Sequence, residues 1–276
     1  MKYQKLKLSQ LGGGDKKGKP KVAFLFLTIG DINYSNLWEK YFRGHEDKCN
    51  IYCHPKNPNN VKSFFKNKII KDRVETKWGH ISIVEAMTKL LRKAFNDDKK
   101  NEYFIFRSES CVPIKSFSKM YDFVTKYKNK SLFALVNNMG QHQSRFKYLK
   151  NNEKVGLTLD KFYKGETWSI ISRKHVITIL KEFPKMKEVF KDVYVPEEHF
   201  NVSIILLKHS RKSIKDISTT LVHWISGKHP YSFGPMLSKK DKNVLIEKNT
   251  DNTFFARKFN YDKNNNVENF IEKLIK

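Results

Sequence analysis

KVAFLFLTIGDINYSNLWEKYFRGHEDKCNIYCHPKN, residues 21–57, reads as strand, turn, helix and strand. Residues 22–27 form an unbroken apolar run, the pattern of a strand buried on both faces. The run stops at Thr28-Ile29-Gly30-Asp31, where Gly and Asp supply turn chemistry. Leu37, Trp38, Tyr41 and Phe42 then recur at helical spacing. Residues 51–53 read as a second strand that ends in a polar tip, His54-Pro55-Lys56. Together these make a βαβ unit, and in open α/β sheets ligands bind beyond the carboxyl ends of the strands. Thr28 and His54 are therefore candidate ligand-site residues. The plainer reading is a sheet edge with polar loop tips.

The same alternation continues outward. Residues 66–78 hold a short apolar segment expected to be a strand, and 81–95 read as a helix with Ile81, Val84, Met87, Leu90 and Leu91 on one face. EYFIFR, 102–107, is the next buried strand, residues 117–127 are amphipathic, and SLFALV, 131–136, is another strand. Residues 137–165 are polar and are expected to be an irregular, flexible insertion facing the substrate. After it come a strand at 167–171, a helix at 174–190 interrupted near Pro184, a helix at 197–207, a late strand at 219–224 and a loop at 227–235. Residues 267–275 close the chain as an amphipathic helix. Alternating β and α argues for an α/β fold with a mostly parallel central sheet flanked by helices.

Composition narrows the class. A chain of 276 residues suits one large domain with a sizeable core. The expected division is a flexible basic arm at 1–20 and one domain at 21–276, its first half binding nucleotide and its second half binding acceptor and carrying catalysis. The formal net charge of +26 favours either a functional basic surface or solvated lysines spread over the faces. Lysines scatter along the whole chain and Arg is scarce, which favours the second and makes nucleic acid an unlikely partner. Three cysteines, Cys49, Cys53 and Cys111, give neither a disulfide framework nor zinc spacing. No run of about 18 apolar residues is present, and the polar, Gly-rich start lacks the apolar middle of a signal peptide.

The chemistry-bearing residues are few. No D-x-D occurs, the spacing that holds a divalent metal against a nucleotide diphosphate. In its expected place, after 102–107, stands Ser108-Glu109-Ser110, and a lone Glu is a poor metal site. No metal site is expected elsewhere either: the nine histidines include no H-E-x-x-H. A diphosphate bound here would need fixed cations, for which Lys228, Arg257 and Lys258 are the candidates. P-loop, hydrolase-elbow and dinucleotide motifs are absent. Glu197-Glu198 at the start of a helix facing a crevice suits a general base, with helix capping as the plainer role.

FLFLTIG, LWEKYFRGHE, IYCHPKN, WGHISIVEA, SESCVPI, the G-x-x-W-x-x-x-S-R of residues 165–173, YVPEEHF, HPYSFG and ARKF follow one pattern in order. The pattern resembles the core-2/I-branching β-1,6-N-acetylglucosaminyltransferase family, in particular its plant branch, over residues 21–259. The resemblance implies a GT-A-like fold without D-x-D, inverting chemistry and no metal or other cofactor, with a UDP-sugar donor and a glycan or glycoprotein acceptor. By position, Glu198 matches the family's catalytic base, and Glu197 stands where the family has Asp. Lys258 matches the Lys of A-x-K-F that meets the donor diphosphate. Lys228, or else His229, falls near the family's second diphosphate cation. Trp168 matches an aromatic beside the acceptor, and Arg145 and Lys147 are acceptor-side candidates in the poorly matching 137–165 region. The donor sugar expected is N-acetylglucosamine, with xylose or glucose as alternatives. The family's Golgi members carry an anchor and disulfides that this sequence does not show, which leaves a secretory-membrane and a cytoplasmic location both open. The competing functions are a nucleic-acid or polyanion-binding protein on a degenerate transferase fold, and an inactive lectin-like module.

Overall fold

The computed structural model describes residues 18–136, 139–225 and 229–275. Most of the expected basic arm, and Lys228, lie outside the described residues. At the end of that arm Pro20 accepts a hydrogen bond from the Tyr121 hydroxyl at 2.7 Å.

The opening βαβ unit forms as its pattern implies. Strand β1 (Lys21–Thr28) is flanked in parallel by β2 (Cys49–Pro55) and β3 (Asn101–Arg107), with α1 (Ser35–Phe42) and α2 (Ser82–Asp97) as the crossovers. Val22 to Phe26 are fully buried, because helices cover both faces of β1. On one face Phe24 and Phe26 meet Trp38 and Phe42 edge-on or nearly so. On the other, Ala23 and Leu25 pack with Val84, Met87, Leu90 and Leu91 of α2.

The rest of the sheet contains one reversed strand. The six-stranded order is β2-β1-β3-β6-β5-β7, where β5 is Ser131–Phe133, β6 Ile170–Ser172 and β7 Ile214–Asp216. β6 runs antiparallel to both β3 and β5, and β5 pairs parallel with β7. The residues before β6 therefore emerge at the same edge as the carboxyl ends of β1, β2, β3 and β5. A second sheet, β4 (Val112–Pro113), β9 (Phe255–Arg257) and β8 (Thr220–Val222), continues from that edge. This is the mixed α/β architecture of a GT-A-like fold, with a central, mostly parallel sheet flanked by helices.

Several local expectations are corrected. Residues 66–78 are not a strand: a 3₁₀ turn at Phe64–Lys68 leads to a single bridge, Cys53 to Ile69, and then to loop. The long helix α5 (Arg173–Phe190) runs through Pro184 without a break. Burial of Leu180, Phe183, Met186 and Phe190 on both sides offsets the hydrogen bond that proline cannot make. The 139–165 region is not structureless. It holds α4 (Met139–Phe146) and 3₁₀ turns at Asn152–Val155 and Leu159–Lys161, and buries Leu149, Leu157 and Phe162 in the core. The expected helix at 197–207 divides into a 3₁₀ turn, Pro196–Glu198, and α6 (Phe200–Lys208). Three further helices complete the described set, α3 (Phe117–Thr125), α7 (Lys239–Glu247) and α8 (Val267–Ile275). All three cysteines are free and buried. No helix among the described residues is long and apolar enough to cross a membrane.

Candidate active site

The acidic pair is delivered by an unusual turn. Val195 adopts φ 53° and ψ 53°, a left-handed conformation that disfavours β-branched residues. Its N–H donates to Gly79 O at 3.0 Å and its side chain is buried, which holds the turn. Pro196–Glu198 follows, and Glu198 O accepts the Gly165 N–H at 2.8 Å, fastening the pair to the segment that enters β6. Neither glutamate caps α6, whose N-terminus has no side-chain cap.

Glu198 is braced by cations. Arg145 Nη1 lies 2.6 Å and Lys164 Nζ 3.3 Å from its Oε2. The same Arg145 Nη1 lies 3.1 Å from His199 Nε2, and His199 Nδ1 lies 2.9 Å from Tyr163 O. The Tyr163 carbonyl can only accept, so Nδ1 carries the proton and Nε2 is the acceptor for Arg145. Burial, reinforced by Arg145, pushes the His199 pKa down to about 3, so the ring stays neutral. Phe162 stacks on it at 4.3 Å and 4°. Arg145 is thus a positioning residue for the carboxylate, anchored from behind by a neutral histidine.

Glu197 has a different environment. Its Oε2 is shut off from solvent without a hydrogen-bond partner. Burial, with Glu198 alongside, raises its pKa from 4.5 to about 7, against opposing effects of its own backbone and Arg145. The unfolded chain releases this proton near 4.5 and the folded chain near 7, so the folded state loses stability as pH rises through that window. Glu197→Gln should remove the loss. Its melting temperature relative to wild type is expected to rise by a few degrees between the acidic end of the window and about pH 8. Thermal melts at the two pH values check this, and a pH-independent difference contradicts it.

Along the same edge lies a cationic group. Arg257, at the end of β9, stacks over the Trp168 ring with its guanidinium carbon 4.4 Å from the centroid. Lys258 follows, half-buried, its pKa lowered by burial and by Arg257 while Glu109 opposes the shift. The neighbouring backbone is cross-tied: Phe233 N–H donates to Lys258 O at 2.8 Å and Phe259 N–H to Ser110 O at 3.0 Å. Asn33 connects to both sides, its N–H donating to Glu109 O and its Nδ2 to Phe259 O. The turn after β1, the turn after β3 and the end of β9 therefore form one wall. Beneath it Arg107 is fully buried, its Nη1 donating to Phe106 O and Trp168 O and its guanidinium 3.7 Å from the Phe255 centroid. Glu166 accepts from Ser218 Oγ at 2.7 Å and faces both arginines, and burial raises its pKa.

The structure therefore gathers Glu197, Glu198, Arg145, Trp168, Arg257 and Lys258 at one edge, and buries two other expected residues, His54 and Thr28. His54 is wholly buried and its Nε2 accepts the Val74 N–H at 3.1 Å, so it pins a loop. Burial lowers its pKa to about 4. Thr28 is also buried, its hydroxyl donating to Gly30 O at 2.7 Å. His229 is exposed, and Lys147 lies over the Tyr148 ring at 5.2 Å. Sequence reasoning missed Lys164, His199, Glu166 and Arg107 as parts of the site. A signal existed for two of them: Arg107 ends an apolar strand, and Glu166 lies two residues before Trp168. Among the described residues no three His, Cys, Asp or Glu side chains come together in a way that could hold a metal.

A carboxylate braced by cations, and a cationic group at the same carboxyl edge of a GT-A-like sheet, are parts that a glycosyltransferase can use. Residues 22–245 match the Core-2/I-Branching enzyme family, and the chain belongs to it. It is also similar to Glycosyltransferase BC10 of Oryza sativa subsp. japonica, 25% identical over 276 residues, covering 82% of this chain and 67% of the rice protein.

Proposed function

We propose that this glycosyltransferase moves a sugar, N-acetylglucosamine in our reading, from a UDP-sugar to a hydroxyl of a glycan or glycoconjugate, with inversion and without a metal. The observation that supports it best is the brace on Glu198. Both cations contact Oε2, which leaves Oε1 to take the proton of an acceptor hydroxyl. The resulting oxygen attacks the anomeric carbon from the face opposite the nucleotide. The bond from that carbon to the phosphate oxygen breaks, and UDP leaves with its new charge beside Lys258. Fixed cations do there what a metal ion does in D-x-D enzymes, at no cost of reorganisation. Trp168, clamped under Arg257, offers an edge for the acceptor. The choice of N-acetylglucosamine follows the family resemblance.

Thermal melts with UDP and a panel of UDP-sugars, each with and without EDTA, test this. UDP at a hundredfold excess over its Kd should add about 2.7 kcal/mol of apparent stability. The shift should be indifferent to EDTA, and the sugar giving the largest shift names the donor. A shift abolished by EDTA would refute metal independence. No shift with any nucleotide would favour the polyanion-binding reading.

A further inference from the structure

Two large aromatic rings stand in solvent at the rim of this edge. Trp78 is 66% and Tyr194 52% exposed. Their centroids are 5.4 Å apart at 81°, so each ring keeps a face turned away from the other. Their positions are built. Gly79 has φ +71°, and a Cβ there would stand 2.7 Å from Tyr194 Cε2, so only glycine lets the tyrosine ring settle against the backbone. The Val195 N–H bond to Gly79 O stitches the Trp78-Gly79 turn to the Tyr194-Val195 turn. The turn that positions the aromatic pair is therefore the turn that positions Glu197 and Glu198.

Topology places the pair on the ligand side. Trp78 and Gly79 lie in the connection from β2 to α2, just before the N-terminus of α2 at Ser82, and so at the carboxyl edge of the sheet. Tyr194 precedes Glu198 by four residues, at most about 14 Å of chain. That is the reach of a short oligosaccharide whose end is at Glu198. Fixed, water-facing aromatic surface beside a reacting group marks a binding surface. A pyranose has an apolar C–H face that suits an aromatic face, and a polar rim that can stay in water.

We propose that Trp78 and Tyr194 form an acceptor subsite that stacks on a sugar ring set back from the reacting hydroxyl. The preferred acceptor is then an oligosaccharide or longer glycan rather than a monosaccharide. This rests on the transferase reading above, with Glu198 at the reacting hydroxyl.

The test uses the full chain, as wild type, Trp78→Ala, Trp78→Phe and Tyr194→Ala. Both side chains are exposed, so melting temperatures should match and serve as the folding control. Saturation-transfer NMR measures binding of chitotetraose, cellotetraose and β-1,4-galactotetraose against their monosaccharides. Wild type should bind at least one tetrasaccharide about tenfold more tightly than its monosaccharide. Trp78→Ala and Tyr194→Ala should each erase most of that advantage while leaving monosaccharide binding and the UDP melting shift unchanged. Trp78→Phe, which restores a ring, should keep it. A wild type that does not distinguish tetrasaccharide from monosaccharide overturns the proposal, as does a Trp78→Ala variant that retains the advantage. Loss of the UDP shift in wild type, with the tetrasaccharide effect intact, upholds the subsite and removes the transferase reading instead.

Discussion

Glu198→Gln should lower sugar transfer by about 10² to 10⁴ while leaving the fold and the UDP melting shift intact. The amide keeps the shape of the carboxylate, and its oxygen can still accept from Arg145 at the site of the present 2.6 Å contact. It cannot take a proton from an acceptor hydroxyl, so only the chemical step suffers. The readout is kcat with a donor named by the melting panel, alongside the UDP shift. Glu197 is the control. Burial raises its pKa to about 7, a value at which a carboxylate can exchange a proton near neutral pH, so Glu197→Gln is measured in parallel. Turnover that survives Glu198→Gln but not Glu197→Gln would transfer the base to Glu197.

Lys258→Ala should lower transfer by about 10² to 10³ and also erase most of the UDP shift. This differs from Glu198→Gln, because a cation at the diphosphate contributes to donor binding as well as to departure of UDP. Burial, and then the neighbouring Arg257, weaken the hold of half-buried Lys258 on its proton. A bound diphosphate would reverse that effect, so donor binding and full charge on Lys258 support each other. Arg257 is a poor substitute, since its guanidinium is already stacked on Trp168. Lys258→Arg, with its charge retained, should recover part of the shift. An unchanged UDP shift in Lys258→Ala would remove this residue from the donor site.

The fold was legible where one element carries its own period. The run 22–27 and EYFIFR are apolar enough to be covered on both faces, and α8 matches its expected bounds, Val267–Ile275. The misses also have physical causes. Residues 66–78 have apolar content, but His54 holds Val74 and keeps that segment as loop. α7 is polar on most faces and shows little periodicity, yet it carries a capping box, Ser238 with Asp241, that was visible in the chain. The antiparallel direction of β6 leaves no trace in its three residues.

The candidate site divides in the same way. The order of motifs and the adjacent glutamates are properties of the chain, and they named Glu198, Lys258 and Trp168 without a structure. What Arg145 does was not readable: its guanidinium reaches Glu198 across 53 residues and His199 across 54. His54 looked like a ligand-side tip because it ends a strand, and burial made it a loop anchor.

Sequence alone determined the strongly periodic elements, the absence of D-x-D and the identity of the acidic pair, because periodicity, spacing and adjacency are local quantities. Tertiary structure decided which glutamate is braced and which has its pKa raised by burial, which cation lies on Trp168, and that Trp78 meets Tyr194. Each of these depends on where distant segments return to the same sheet edge, and that return is set by packing over the whole core rather than by any local pattern.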